Sequence, residues 1–392
     1  MLLQARTIQR AAGVAALLVG ALALAACGGP SGGAGGSNTI KLGFLGDFTG
    51  ESSGLVIPPF NGAQMVVDDY NATNPPKKIE LVKYDSQGSP DQAVPLVTKA
   101  VQQDGIVGLI GPTFSGESKA ADPILEQAKI PNISAVATNP GLAQNGWKYF
   151  HRVVASDAAQ GPAIADFLVA AKKPTKAFVV SDDQEYSVGI ADAANKELEA
   201  KGVSVQRDQF AQAASDYSST IAKIKAYDPQ VIFFGGYYAQ GGRLLKQIRD
   251  AGLTSAFATG DGSLDPGLVS GAGAKAAEGA IIGCPCAVPD AKSTVGELKK
   301  FYGDYQGRYH VEPAVYAAEG YDAATAFVKA IQAGNTTPET INTFLATVSF
   351  QGLAKPIQFQ PDGNVVGTAI FIHQVKDGKI ALLGNSKDAK LG

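Results

Sequence analysis

The sequence predicts an α/β protein whose two doubly wound, Rossmann-like lobes are joined by a hinge that the chain crosses three times. From Ile40 onward, short apolar runs alternate with amphipathic helical patterns, which is typical of parallel sheets covered by helices. The alternation runs through two similar half-chains, so each half is predicted to form one sheet. Helical patterns without neighbouring strands follow the second half, and they predict a return of the chain to the first lobe.

Eight apolar runs are the candidate strands. Four belong to the first half, at residues 40–45, 79–84, 106–110 and 132–135, and four to the second half, at residues 177–181, 203–209, 231–234 and 256–259. The helical patterns between them cover residues 62–70, 93–103, 118–128, 189–201 and 241–251.

The C-terminal part connects the lobes. Helical patterns over residues 293–309 and 316–333 have no strands nearby, so they are predicted to pack on the first lobe. Residues 357–359 and 369–374 predict a closing hairpin around a turn at residues 361–364.

This order of segments places the three crossings near Val154, Cys284 and Lys355. Several crossings side by side form a hinge, so the lobes are expected to open and close. The first lobe would consist of residues 39–154 and 285–354, and the second of residues 155–284 and 355–392.

The N-terminal residues predict export. Arg6 and Arg10 precede an uncharged, apolar stretch over residues 11–26, which is the order of a secretory signal peptide. The stretch is shorter than the roughly 20 apolar residues of a membrane-spanning helix. Residues 1–26 are therefore expected to be absent from the mature protein.

The end of this stretch predicts a lipid anchor. Leu24-Ala25-Ala26-Cys27 resembles a bacterial lipobox, in which small residues precede a cysteine that receives lipid, such as palmitate. A Gly/Ser-rich run follows, so residues 27–38 are expected to be a lipidated cysteine and a flexible tether to the extracytoplasmic face of the membrane. The alternative is an ordinary signal peptide followed by a chance cysteine.

Charge and length limit the possible partners. Without residues 1–26, the chain keeps 31 basic and 36 acidic residues, a formal net charge of −5. No run of Lys or Arg is longer than two residues, which argues against a nucleic-acid partner. The roughly 355 residues after the tether suffice for two domains with full cores.

The sequence offers little for a metal site or for catalysis. His151, His310 and His373 stand far apart, so neither a metal nor another cofactor is expected. The phosphate loop G-x-x-x-x-G-K-[ST] and the zinc motif H-E-x-x-H are both missing, so we expect no enzyme. Cys284 and Cys286 could form a disulfide in an exported protein, although so tight a loop would be strained and the pair could also stay reduced.

Loops that follow the predicted strands are rich in glycine and small polar residues. In doubly wound sheets, such loops line the ligand crevice. A helix is predicted to begin directly after Ser115, and its first N–H groups suit a carboxylate, with the hydroxyls of Ser115 and Thr138 as further donors. The loops cover residues 111–116, 134–140, 181–189, 235–238 and 259–262.

Several blocks in and around these loops resemble the leucine/isoleucine/valine-binding proteins, the type I periplasmic binding proteins of ABC importers. The likeness runs from about Ile40 to the C-terminus. The resemblance implies a monomeric binding protein that captures a branched-chain or related apolar amino acid by lobe closure and presents it to ABC permease subunits. The blocks are residues 105–112, 134–140, 231–237 and 245–253, with residues 82–86 and 181–186 following the same pattern.

The resemblance also implies how the two charged ends of an amino acid would be bound. Ser115 and Thr138, with the backbone of Val136 and Ala137, would surround the ligand carboxylate. Asp261 would face the ammonium group. Each residue also has a purely structural interpretation, because Ser115 could cap a helix and Thr138 and Asp261 could serve turn geometry.

The remaining implied residues are apolar or aromatic. Tyr186 and Tyr237 would close over the ligand from the second lobe, and Tyr316 would approach from the late helices, although each could instead be a core or hinge aromatic. Leu55 stands where relatives often have an aromatic residue, so it would form a smaller wall. Phe114 replaces a smaller residue and could narrow the pocket or pack under it. The alternative function is the same fold binding an amide, urea or an aromatic acid, as an importer subunit or a sensor.

Overall fold

The first half of the chain forms a five-stranded parallel sheet in the computed structural model, which describes residues 38–292, 296–353 and 355–391. Its elements are β1 (Thr39–Gly46), α1 (Ile57–Ala72), β2 (Lys78–Asp85), α2 (Pro90–Lys99), β3 (Gly108–Ile110), α3 (Ser115–Ala128), β4 (Asn132–Ser134) and β5 (Phe150–Arg152). The strands lie in the order β2-β1-β3-β4-β5, as expected for a doubly wound sheet.

The second half forms the parallel part of a second sheet. Its elements are α4 (Asp157–Lys172), β6 (Lys176–Asp182), α5 (Glu185–Ala200), β7 (Ser204–Phe210), α6 (Ser218–Tyr227), β8 (Val231–Gly235), α7 (Tyr238–Asp250), β9 (Ala256–Thr259), α8 (Pro266–Ala272), α9 (Ala274–Ala277) and β10 (Ile281–Cys284). Every residue of β8 is buried, because helices cover both faces of this central strand and favour a continuous apolar run.

The late segment completes both lobes. Its elements are α10 (Gly296–Tyr309), α11 (Ala317–Gln332), α12 (Pro338–Leu345), β11 (Ser349–Gln351), β12 (Pro356–Gln358), β13 (Phe371–Lys376) and β14 (Lys379–Asn385). Helices α10 and α11 pack on α1, so the late helices do return to the first lobe. Strand β13 pairs antiparallel with β10, and β14 pairs antiparallel with β13, which extends the second sheet to seven strands.

The predicted closing hairpin between residues 357–359 and 369–374 is wrong. β12 pairs with β11, and Phe359 makes only a single bridge to Val365. β13 pairs instead with β10 and β14.

The third crossing is displaced for the same reason. The carbonyl of Gly363 accepts a hydrogen bond from the N–H of Arg152 at 2.9 Å, which holds this turn on the first lobe. The crossing therefore lies between Val365 and Phe371 and not near Lys355, and residues 356–365 lie against the first sheet.

The other two crossings follow β5 and β10. At the second of them, Cys284 and Cys286 form a disulfide, and both residues are fully buried. The structure thus joins a pair that the sequence left open.

The predicted signal peptide, Cys27 and the tether up to residue 37 lie outside the described residues. In the ranges that the structure does describe, no helix combines the length and apolar character needed to cross a membrane.

Candidate functional site

A small closed cavity lies where the loops after the strands of both lobes meet the start of α11. Its volume is about 10 Å³, roughly the space of one water molecule, so the cleft between the lobes is closed. Thr138, which was also expected at the site, directly follows this lining and is fully buried. The expected residues that line the cavity are Leu55, Ser115, Val136, Ala137, Tyr186, Tyr237, Asp261 and Tyr316, and Phe114 lines it as well.

The start of α3 forms one end of the cavity. Phe114 is the N-cap residue and its N–H donates to Glu117 Oε2 at 2.9 Å, so the interpretation of Ser115 as the helix cap is wrong. The Ser115 hydroxyl instead accepts a hydrogen bond from the N–H of Asn139 at 3.3 Å. The positive end of the α3 dipole and the Ser115 hydroxyl therefore lie where an anion would be stabilised.

In the loop after β4, the backbone N–H groups that the resemblance assigned to a ligand carboxylate bind within the loop. Ser134 Oγ accepts hydrogen bonds from the N–H groups of Ala137 at 3.0 Å and Val136 at 3.4 Å, so these N–H groups stabilise the loop itself. The Thr138 hydroxyl is buried and has no hydrogen-bond partner of good geometry among the described residues. A buried hydroxyl without a partner is costly, so a turn role alone does not account for Thr138.

Asp261 is the centre of a hydrogen-bond network. It is buried, and its Oδ1 accepts hydrogen bonds from the Tyr186 hydroxyl at 2.7 Å and from Gln160 Nε2 at 2.8 Å. Its Oδ2 accepts one from the Tyr316 hydroxyl. Burial raises the pKa of Asp261, and these three donors act in the opposite direction. Because Tyr316 belongs to the first lobe and the others to the second, the network joins the closed lobes.

Tyr316 has an unusual backbone conformation for an aromatic residue. It precedes α11 as the N-cap residue with φ 63°, in the left-handed region, and its side chain is fully buried. Bulky side chains avoid this region, so a Tyr that adopts it indicates a functional constraint. The conformation directs its hydroxyl to Asp261.

A second carboxylate lies beside Asp261. The side chain of Gln160 donates to Asp157 Oδ1 at 2.9 Å and to Asp261, so one amide bridges the two acids. Burial raises the pKa of Asp157 well above its usual range, and the nearby charge of Asp261 adds to the rise, whereas Thr138 and Arg152 oppose it. Asp157 Oδ2 has no hydrogen-bond partner in the described part of the chain. A cation that entered the cavity would therefore be stabilised by both acids.

Neither a metal centre nor a hydrolase site is indicated. Among the described residues, no group of three or more His, Cys, Asp or Glu could hold a metal ion. Gly50–Gly54 has the G-x-S-x-G spacing of a nucleophile elbow. However, Ser52 lies in a turn where its N–H donates to Asp47 Oδ2 at 3.0 Å, and no histidine lines the cavity.

Comparison with known proteins identifies the family. The sequence model of the family described as "Periplasmic binding protein" matches residues 39–379, most of the chain. The chain belongs to this family.

Several similar proteins are named for the amino acids that they bind. The leucine-specific-binding protein of Salmonella typhimurium is 32% identical over 70% of this chain and 75% of its own length. The Leu/Ile/Val-binding protein of Escherichia coli is 30% identical over 84% of this chain and 88% of its own. The branched-chain amino acid transporter substrate binding protein LivJ of Streptococcus pneumoniae, solved with isoleucine, has a TM-score of 0.80 at 27% identity and covers 88% of this chain and 99% of its own.

Three aromatic rings that pack at tilted angles form the apolar wall of this periplasmic binding protein. The Phe114 ring lies 5.0 Å from that of Tyr237, and the Tyr237 ring lies 5.0 Å from that of Tyr186. Phe114 comes from the first lobe and both tyrosines from the second. The wall thus closes with the lobes, and Leu55 lies fully buried at the same cavity.

The sequence prediction missed three polar residues at the first crossing: Arg152, Asp157 and Gln160. Arg152 is fully buried, its Nη1 donates to the Asn139 carbonyl at 2.8 Å, and its Nε donates to Asn364 Oδ1 at 2.7 Å. Arg152 therefore connects the first crossing to the turn that precedes the third crossing. The signal in the sequence was the presence of an Arg, an Asp and a Gln in a nine-residue segment, residues 152–160, at a predicted hinge crossing.

Replacing Arg152 with Met is expected to destabilise the fold by about 3 kcal/mol, because buried acceptors would lose their charged donor. Urea unfolding followed by circular dichroism measures the change. Arg308→Met is the matched control, since Arg308 forms a surface ion pair with Asp69 and its loss should cost below about 1 kcal/mol. Equal losses in both variants would show that Arg152 has no special structural role.

Proposed function

We propose that this protein captures a free apolar amino acid, a branched-chain one or a related one, by lobe closure and delivers it to an ABC permease. The observation that carries the proposal is the pairing of a helix start with a buried carboxylate, Asp261, at one cavity, where Gln160 links Asp261 to a second buried acid, Asp157. A zwitterion needs this pairing, because each of its charges must be balanced when the lobes exclude water.

The charges can be assigned to the two ends of the ligand. The start of α3 and the Ser115 hydroxyl would receive the carboxylate. Asp261, with Asp157 behind Gln160, would receive the ammonium group, and the buried Thr138 hydroxyl, which interacts with Asp157, would donate or accept between them. The apolar remainder of the ligand would contact Leu55 and the rings of Phe114 and Tyr237.

The names of the relatives support the same ligand class. The Salmonella and Escherichia proteins are named for leucine and for leucine, isoleucine and valine, and the Streptococcus protein is solved with isoleucine. The alternative ligands agree less well with the site. Urea, a neutral amide or an aromatic acid brings no ammonium group, so Asp157 and Asp261 would stay buried without a cation.

Isothermal titration calorimetry of the mature, unlipidated protein against single amino acids tests the proposal. We expect saturable heat with at least one of leucine, isoleucine, valine and alanine, and none with benzoate or urea. Aspartate and lysine are the controls, because a second side-chain charge has no partner in the aromatic wall. Heat with benzoate or urea alone would contradict the proposal and favour the alternative function.

We also propose that Cys27 carries lipid and holds the protein on the outer face of the membrane, close to its permease. This proposal is supported by the sequence before Cys27 and by the family's extracytoplasmic setting. Cys27→Ser should release at least about nine-tenths of the protein from the membrane fraction into the medium, because the variant loses the membrane affinity that a lipid anchor supplies. Immunoblots of both fractions measure this, and Ser31→Ala is the control. A Cys27→Ser protein that stays in the membrane fraction would contradict lipidation.

A further inference from the structure

A second and larger cavity lies outside the cleft, on the side of the hinge. Its volume is about 880 Å³, within the roughly 300–1,000 Å³ of small-molecule sites. We call it the hinge groove. Leu264, Val269 and Leu382 line it from the second lobe, and Val288, Pro313 and Val315 line it from the first-lobe side.

The two sides of the hinge groove belong to different lobes. Leu264 precedes α8, Val269 lies in α8, and Leu382 lies in β14 of the second sheet. Val288 follows the second crossing, in a segment whose neighbour Ala287 donates its N–H to Glu319 of α11 at 3.0 Å. Both lobes therefore contribute to the hinge groove, and its shape depends on how the two lobes are oriented relative to each other.

The chemistry of the hinge groove is apolar with one polar anchor. His373 lines it from β13 and is only 4% exposed, and its Nδ1 has no hydrogen-bond partner in the described ranges. Burial lowers the pKa of His373 to about 4, and a hydrogen bond to the backbone of Ile282 opposes this. The ring is therefore uncharged at neutral pH, and an uncharged imidazole keeps one nitrogen that can accept a hydrogen bond.

The charged residues of the groove do not favour an anion. Asp290 and Glu312 line its first-lobe side and Lys379 its second-lobe side, so acids outnumber bases. An anionic ligand would meet these acids, and most of the remaining lining, such as Leu264, Val269 and Val315, is apolar. The observations favour a neutral ligand.

We propose that the hinge groove binds a second small molecule, an uncharged apolar compound with one N–H or O–H group that donates to His373. This site is distinct from the amino-acid cleft. It does not depend on which ligand the cleft takes.

The two sites share two segments of the chain. Leu264 lies three residues after Asp261, and Val315 directly precedes Tyr316. The hydrogen bond between Tyr316 and Asp261 joins the lobes, so breaking it on opening of the cleft would change how these two walls of the groove lie relative to each other. A ligand in the groove binds the closed form better and therefore favours closure.

Fluorescence titration with N-phenyl-1-naphthylamine, a neutral apolar amine with one N–H, tests the site. The full mature protein should give saturable enhancement with one probe per chain. Leu382→Asp places a charge on the groove wall and should weaken probe binding about tenfold or more. Val366→Asp is the matched control, because Val366 is 46% exposed against 51% for Leu382 but does not line the groove. No saturable binding, or equal loss in both variants, would overturn the proposal.

Two further measurements complete the test. Ser270→Trp fills the groove from its exposed rim without adding charge, and it should also abolish probe binding; retention of full probe affinity in this variant would overturn the site. The coupling rests on the proposed function, and it predicts that saturating probe tightens leucine binding about fivefold or more. Leucine binding that is unchanged by bound probe would overturn the coupling. Failure of leucine to bind without probe would count against the proposed function and not against the groove.

Discussion

Replacing Asp261 with Asn is expected to weaken amino-acid binding about 100-fold or more while the fold is retained. The side chain keeps its size, its amide oxygen can still accept a hydrogen bond from Tyr186, and its NH2 group can donate to the Tyr316 hydroxyl oxygen. It loses the charge that would balance the ligand ammonium. Breaking one partner of a buried ion pair costs about 3–5 kcal/mol, which corresponds to this loss of affinity or a larger one.

The free protein should not be destabilised by this change. Asp261 is buried, and burial raises its pKa, so the ionised side chain is disfavoured before a ligand arrives. A neutral amide removes that cost. The midpoint of thermal unfolding in the free protein should therefore stay constant or rise.

Calorimetry with leucine and thermal unfolding measure both effects on the same samples. Asp265→Asn is the matched control, because Asp265 lies four residues away, caps α8 through the N–H of Gly267 and does not line the cavity. It should leave leucine affinity within about threefold. If Asp261→Asn bound leucine as tightly as the unchanged protein, the ammonium group would not be held by Asp261.

The regular parts of the fold could be predicted because their signals are local. The apolar run at residues 231–234 is long enough to indicate a strand, and it forms the buried centre of the second sheet. The strand ends then place Asp261 and Ser115 at one crevice, because loops at the carboxyl ends of parallel strands converge.

The missed elements are those without a local signal. β5 has three residues and β10 has four, and both lie at crossings between the lobes, where the neighbouring strands that pair with them specify their positions. The closing hairpin failed for a related reason. Its turn is held by Arg152, which is remote in sequence, so no pattern near residues 361–364 could reveal it.

The same limit applies to the site. Asp261 and Ser115 follow strands and could be found from their positions, whereas Asp157 and Gln160 act through contacts across the lobe. The bridge from Gln160 to Asp261 spans 101 residues of sequence. Residues that only complete a network in three dimensions leave no periodicity to detect.

Replacing Phe114 with Ala is expected to shift the preference of the cleft toward larger side chains. Phe114 lines the closed cavity, and its ring contacts Tyr237 across the two lobes. Both rings line a cavity of only about 10 Å³, so a smaller side chain at residue 114 would enlarge it. Removing the ring should raise the affinity for leucine relative to alanine about tenfold or more, since each methylene in an apolar pocket is worth about 1–3 kcal/mol.

The ratio of the two dissociation constants is the quantity to measure, because Phe114→Ala will also lower stability by about 3–5 kcal/mol through the lost core contacts. Phe60→Ala controls for this loss. Phe60 is buried in the same lobe and packs on Phe44 and Phe48, but it does not line the cavity. It should lose stability and keep the ratio. An unchanged ratio in both variants would mean that Phe114 packs beneath the pocket. The size of the ligand would then be set by Leu55 and Tyr237, the other residues proposed to contact its apolar part.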